Sequence, residues 1–204
     1  MTYTQLPAGT RRFGIKPALL RTRRYFDLTE DGLACRSRDG TLDWQVAWPD
    51  LTRVVFVDHH VERQLMWRLD LICGDTVRRI AINIPEQGAK SDPDLAEFVD
   101  LIAGISEALA AARPEMRVSL GEYGRAKWGM LAVGVLSAVT GLGVLIAALV
   151  GGVSTDRMAA AAVPMLLLMA LGALVIRAHH PWQSAPEVPA ASFAPILRAW
   201  EMHR

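Results

Sequence analysis

The sequence reads as an α+β membrane protein. It predicts an antiparallel β-barrel or sandwich capped by one helix, a two-helix transmembrane hairpin, and a C-terminal amphipathic helix. Three patterns carry this. Short strands joined by acidic-glycine turns fill residues 23 to 85, a single apolar stripe at helical spacing follows, and two long apolar segments then enclose one polar break. Whole-chain totals conceal the division. A formal charge of +1 and 21% charged residues over 204 residues describe an ordinary soluble protein only because the polar portion dilutes the apolar one. That portion, about 120 residues, is large enough for a core of its own.

The hairpin occupies residues 128–177. Trp128 to Val150 runs for about 23 residues without a charge, and at ~1.5 Å per residue it reaches ~35 Å, enough to cross a bilayer with some tilt. Gly151-Gly152-Val153-Ser154-Thr155-Asp156-Arg157 has the residues of a tight reversal. Met158 to Ile176 supplies about 19 residues more, near the minimum for a span. A water-soluble helix needs a polar face, and neither segment has one. No ionisable residue lies inside either span, which argues against an ion or proton path. Gly134, Gly141 and Ala148 recur every seven residues in the first span and form a seam for close helix approach, either to the second span or to another membrane protein. Arg117, Arg125 and Lys127 precede the hairpin and Arg177 follows it, while the loop has only Arg157 beside Asp156; both ends are expected inside. The start of the chain lacks the apolar core of a secretory signal, so the polar portion is expected in the cytoplasm. There Cys35 and Cys73 should be reduced and buried.

Residues 1–22 form a basic arm. Arg11, Arg12, Lys16, Arg21, Arg23 and Arg24 occur in the first 26 residues with no acidic residue among them. Such a cluster suits anionic headgroups, an acidic partner, or plain solvation. Nucleic acid is a poor fit, because no stacking aromatics alternate with the cations.

The strand region follows. Tyr25 to Thr29 ends at Glu30-Asp31-Gly32, where glycine is expected to supply a positive φ. Leu33 to Ser37 closes at Arg38-Asp39-Gly40, and Leu42, Trp44 and Val46 alternate toward Trp48-Pro49-Asp50. Arg53 to Val57, Met66 to Cys73 and Thr76 to Ile84 complete the set, the last two joined at Gly74-Asp75. Leu95, Phe98, Ile102, Ile105 and Leu109 then recur at steps of three and four, with Asp92 as cap and Pro93 in first position. One amphipathic helix after such a meander would plug the open end of a small barrel.

Residues 23–115 resemble the bacterial pleckstrin-homology-like domains that stand next to transmembrane hairpins. The matching residues are Leu28-Thr29-Glu30-Asp31-Gly32-Leu33, the step Trp48-Pro49-Asp50-Leu51 into a strand, the Gly74-Asp75 hairpin and the helix from Asp94. The resemblance covers about half the chain and rests on turn chemistry. It implies seven strands, of which six are legible, with the seventh expected in residues 10 to 22 or among missed boundaries. It also implies a bacterial inner-membrane location. No phosphate-binding motif maps onto this chain, so phosphoinositide binding does not carry over, and the family includes many protein-binding modules.

A connector at 116–127 leads into the hairpin, and a linker at 178–192 leaves it, with His179-His180-Pro181-Trp182 at the interface. In the tail, 193–204, Phe193, Ile196, Leu197 and Trp200 fall on one helical face opposite Arg198 and Glu201. So short an amphipathic helix needs a surface: headgroups, its own barrel, or a partner's groove.

Candidate chemistry is sparse. Asp58-His59-His60-Val61-Glu62 has metal-ligand residue types in an expected loop, but neighbouring strand side chains point to opposite faces. No metalloprotease motif, phosphate loop or nucleophile elbow is present. The expectation is a non-catalytic integral membrane protein without cofactor, metal or small-molecule substrate. It would serve as an accessory, assembly or scaffold subunit of a larger membrane complex, a respiratory one in the first instance. Gly134, Gly141, Ala148, Phe193, Ile196, Leu197 and Trp200 would bind partner membrane proteins, and the basic residues would face lipid. The alternative is a membrane-anchored sensor of anionic headgroups.

Overall fold

The first sheet starts earlier in the chain than the turn chemistry suggests. In the computed structural model, which describes residues 9–121, 123, 125–152, 154–178 and 185–202, strand β1 (Arg11–Ile15) lies within the basic arm. It pairs antiparallel with β2 (Arg24–Leu28), which is followed by β3 (Gly32–Arg36) and β4 (Leu42–Ala47) in the order β1-β2-β3-β4. Residues 11–15 of the arm are therefore part of the sheet, because Phe13 and Ile15 alternate into the core. Phe26, Leu28, Leu33, Cys35 and Val46 continue that inner face.

Gly32 is needed for a reason other than the expected one. Its φ is not positive; a Cβ there would lie 2.2 Å from the Val46 carbonyl oxygen on the neighbouring strand. Gly40 and Gly74 do take the left-handed conformation in their turns, at φ +89° and +56°.

The second sheet begins with β5 (Arg53–Val61), β6 (Gln64–Cys73) and β7 (Thr76–Pro85), a continuous antiparallel meander. Strand β5 runs four residues past Val57, so Asp58-His59-His60 is strand where a loop is expected. Helix α1 (Pro93–Ala112) follows the sequence reading closely. The Asp92 carboxylate accepts from Asp94 N at 2.8 Å and Leu95 N at 3.2 Å, and the stripe from Leu95 to Leu109 is buried.

Strand β8 (Arg117–Leu120) then runs parallel to β5. The chain next forms helix α2 (Arg125–Val150) and helix α3 (Thr155–Ala178), and returns as strand β9 (Glu187–Pro189) and helix α4 (Ala190–Met202). Strand β9 pairs antiparallel with β8, which gives the second sheet the order β7-β6-β5-β8-β9. The connector and the linker thus each contain a strand. Two compact units result: the chain up to Gly121 together with Pro186 onward, and Glu122–Ala185.

In the first unit, Phe56 on β5 is the centre of the core. Its ring lies 5.8 Å from Trp67, 5.2 Å from Phe193 and 6.1 Å from Trp200, and Trp67 in turn lies 6.4 Å from Phe98 on α1. In the second unit α2 and α3 pack along each other. Helix α2 carries an apolar stretch, Trp128–Val150, of 23 residues and mean hydropathy 2.4, long enough to cross a membrane; the apolar stretch of α3, Ala162–Arg177, is shorter.

Candidate functional site

Among the described residues, most of the groups singled out in the sequence turn inward. On α2, Gly134 and Gly141 are buried against α3. A Cβ on Gly134 would come within 2.9 Å of Ile176 Cγ1 and 3.0 Å of Gly172 O; one on Gly141 would meet Met169 Cγ at 2.8 Å and Met165 O at 3.0 Å. Gly172 completes the contact, since its Cβ would lie 2.7 Å from Gly134 O. Backbones approach this closely only where side chains are missing. Of the two uses expected for the seam, approach to the second span is the one that Gly134 and Gly141 make. Ala148, on the same repeat, is half-buried. Val133, Leu136 and Val139 of α2 and Val163, Leu167 and Leu174 of α3 are exposed.

The tail is likewise occupied within the chain. Phe193 and Leu197 are fully buried in the first unit, and Ile196 and Trp200 are half-buried. Of the three surfaces the amphipathic tail could use, it uses its own domain: the apolar face of α4 closes over Phe56 and packs on α1.

Four of the six basic residues are ion-paired. Arg12 Nε and Nη2 donate to the Asp27 carboxylate at 2.6 and 2.8 Å, and Arg36 Nε reaches the same group at 2.9 Å. Burial pushes the Asp27 carboxyl up, but the hydrogen bonds from Arg12 and Arg36 outweigh it and hold the carboxyl below the usual value. Arg23 meets Asp94 at 2.8 Å, and Arg11 and Arg24 lie 4.0 Å from Glu107 and Asp43. Lys16 and Arg21 have no ion pair among the described residues. They flank Leu19 and Leu20, which are 83% and 96% exposed. In the sequence, Leu19 and Leu20 stand side by side with no helical or alternating apolar partner, a signal of an unpartnered apolar loop.

Asp58 and His60 face the core side of β5 at its open end. Trp67 Nε1 donates to Asp58 Oδ1 at 2.8 Å; His60 Nε2 lies 3.3 Å from that oxygen, and its Nδ1 lies 3.7 Å from Glu86 Oε1. Beside them is a cavity of about 310 Å³ whose lining includes Leu65, Trp67, Leu95 and Lys90. Among the described residues, no three His, Cys, Asp or Glu side chains are grouped to hold a metal ion. Both cysteines are free. Burial pushes the Cys35 thiol up to about 11, and burial also raises Cys73, which is only half-buried rather than buried as expected. His179-His180-Pro181-Trp182 lies outside the described residues.

No protein-family model and no curated protein matches this chain.

Proposed function

We propose that the chain is a membrane-anchored, non-catalytic accessory or scaffold subunit of a larger membrane complex. A pleckstrin-homology-like domain is carried on a two-span hairpin whose ends both lie on the cytoplasmic side. One observation carries the anchoring: the hairpin interrupts the domain between two strands that are bonded to each other. Leu120 N donates to Pro186 O at 2.7 Å, and Val118 is paired with Val188. The chain leaves the domain and rejoins it at one place, so a crossing by α2 requires a return by α3. Helix α3 has 24 residues in all, about 36 Å, and a bilayer adjusts to a shorter apolar core by local thinning. Arg117 before the hairpin and Arg177 after it favour the same side.

The domain assignment is supported by four antiparallel strands, a three-stranded antiparallel meander and one capped helix in that order. The strand at residues 11–15 supplies the seventh. The scaffold role is supported by the exposed faces of α2 and α3, since the seam and the tail are used internally. A headgroup sensor built on the basic residues is less well supported, because Arg11, Arg12, Arg23 and Arg24 already have carboxylate partners.

Purification of the full chain in mild detergent through an N-terminal tag, with mass spectrometry of what is retained, tests this reading. A stoichiometric set of membrane proteins is the expected result and names the process. Protein and lipid alone, at monomer or dimer mass, would overturn the subunit role.

A further inference from the structure

We propose that the loop between β1 and β2, residues 16–23, is an interfacial wedge. Leu19 and Leu20 enter the boundary between headgroups and acyl chains, and Lys16 and Arg21 sit at the phosphates. This rests on the membrane-anchored reading and adds a second bilayer contact, separate from the hairpin.

Three observations lead to it. Leu19 and Leu20 are the most exposed large apolar side chains among the described residues of the domain, at 83% and 96%, and they occupy the two central positions of the turn closed by Arg21 N donating to Ala18 O at 3.0 Å. Water solvates such a pair poorly, and a bilayer interface accepts it.

The loop is also braced. Asn83 N donates to Pro17 O at 2.8 Å, Lys16 N donates to Asp94 Oδ1 at 3.1 Å, and the Arg23 guanidinium meets Asp94 at 2.8 Å. The tip is thereby presented by β7 and α1 rather than left to fold onto the core. Residues 16–23 contain no carboxylate, and with Arg23 paired, Lys16 and Arg21 keep their charge for the phosphates.

The third observation is position. Strand β8 runs parallel to β5, with Val54 opposite Val118 and Phe56 opposite Leu120, so β8, the last strand before the hairpin, runs toward the β5–β6 turn. That turn, Glu62-Arg63, is also the end where the wedge is braced: Asn83 pairs with Met66, and Gln64 pairs with Pro85. Val61, 52% exposed, lies at the same end of β5. The opposite end of the same sheet carries the polar Gly74-Asp75 turn.

The test uses the full chain reconstituted in vesicles of phosphatidylcholine and phosphatidylglycerol. An environment-sensitive fluorophore is placed in turn at Leu20→Cys, Asp75→Cys and Leu142→Cys, each in a Cys73→Ser background; the buried, high-pKa Cys35 thiol is left in place. Brominated acyl chains report lipid contact and iodide reports water. The L20C probe is expected to be blue-shifted, to lose emission to brominated lipid and to be shielded from iodide, as L142C on α2 should be, whereas D75C should respond to iodide alone. An L20C probe that behaves as D75C does, while L142C is quenched by brominated lipid, would overturn the wedge and leave the anchor standing. Loss of the L142C signal as well would reject the anchored reading and the wedge with it. Shielding of L20C from iodide without quenching by brominated lipid would mean contact with protein, and would also overturn the proposal. Lys16→Glu with Arg21→Glu should diminish the L20C quenching; undiminished quenching would reject the phosphate contact.

Discussion

Helices α4 and α2 are both rich in apolar residues, and the structure treats them in opposite ways. On α4 the apolar residues keep to one side: Phe193, Ala194 and Leu197 are buried, while Ser192, Pro195 and Arg198 are exposed. On α2 they are distributed all round; Gly134 and Gly141 meet α3, and Val133, Leu136, Val139, Leu142, Ile146 and Leu149 are exposed. A stripe commits a helix to a protein core, because the remaining faces are content in water. All-round apolarity uses only its smallest residues on the neighbouring helix and leaves an exterior that water does not satisfy. Composition does not separate the two cases. The angular distribution does.

Breaking the tail should have the largest effect. Phe193→Ala removes a ring that lies 5.2 Å from Phe56 in the middle of the core, and is expected to cost about 3–5 kcal/mol in denaturant unfolding of the domain. Leu136→Ala, on the outward side of α2, should change that unfolding by less than about 0.5 kcal/mol. Comparable losses from the two would erase the distinction drawn above.

The hairpin seam comes next. A side chain at Gly172 must displace Gly134 O and Ala138 N, which lie 2.7 and 2.8 Å from where its Cβ would stand. Gly172→Leu is expected to cost about 1–3 kcal/mol of α2–α3 packing, read as faster amide exchange in those two helices, with the exchange of β5 and β6 unchanged.

The smallest of the three losses concerns the basic strand. Asp27→Asn should cost about 1 kcal/mol at neutral pH by removing the anion that the partly exposed Arg12 and Arg36 share. Because the folded carboxyl titrates below its unfolded value, this contribution is complete above an unfolded pKa of about 3.9 and is lost as pH falls through the lower folded pKa. Unfolding curves of the wild type and the Asn variant should therefore converge in acid. A constant gap down to the acid limit would mean that the Arg12–Asp27–Arg36 cluster is not the source.

Much of this was legible in the residues, wherever a pattern is local. Asp92-Pro93 and the stripe from Leu95 to Leu109 specify α1 with its cap, and the Gly74-Asp75 turn fixes its hairpin. Three things were not. Strand β1 was not legible in its own residues, because five residues reading Arg-Arg-Phe-Gly-Ile show charge more strongly than alternation; only the strand count implied by the resemblance pointed to residues 10 to 22. Strands β8 and β9 have four and three residues, too few to show a period, and the bond between them joins Ser119 to Glu187, 68 residues apart. The destination of α4 was also hidden, since an amphipathic face specifies that it needs a cover and says nothing about which cover. As for the candidate sites, residue types alone could not reveal that Arg12 and Arg23 have carboxylates waiting in β2 and α1, or that Gly134 and Gly172 face each other.

The interruption of the domain between β8 and β9 also dictates an order of assembly. As the chain is synthesised, β1 to β8 are made first and α2 and α3 next; β9 and α4, whose Phe193 and Trp200 lie against Phe56, come last. Until α4 arrives, Phe56 lacks that cover. Synthesis of the hairpin thus precedes closure of the domain, and a chain held on the ribosome before Pro186 should be more sensitive to protease than the released chain, in which α4 is in place.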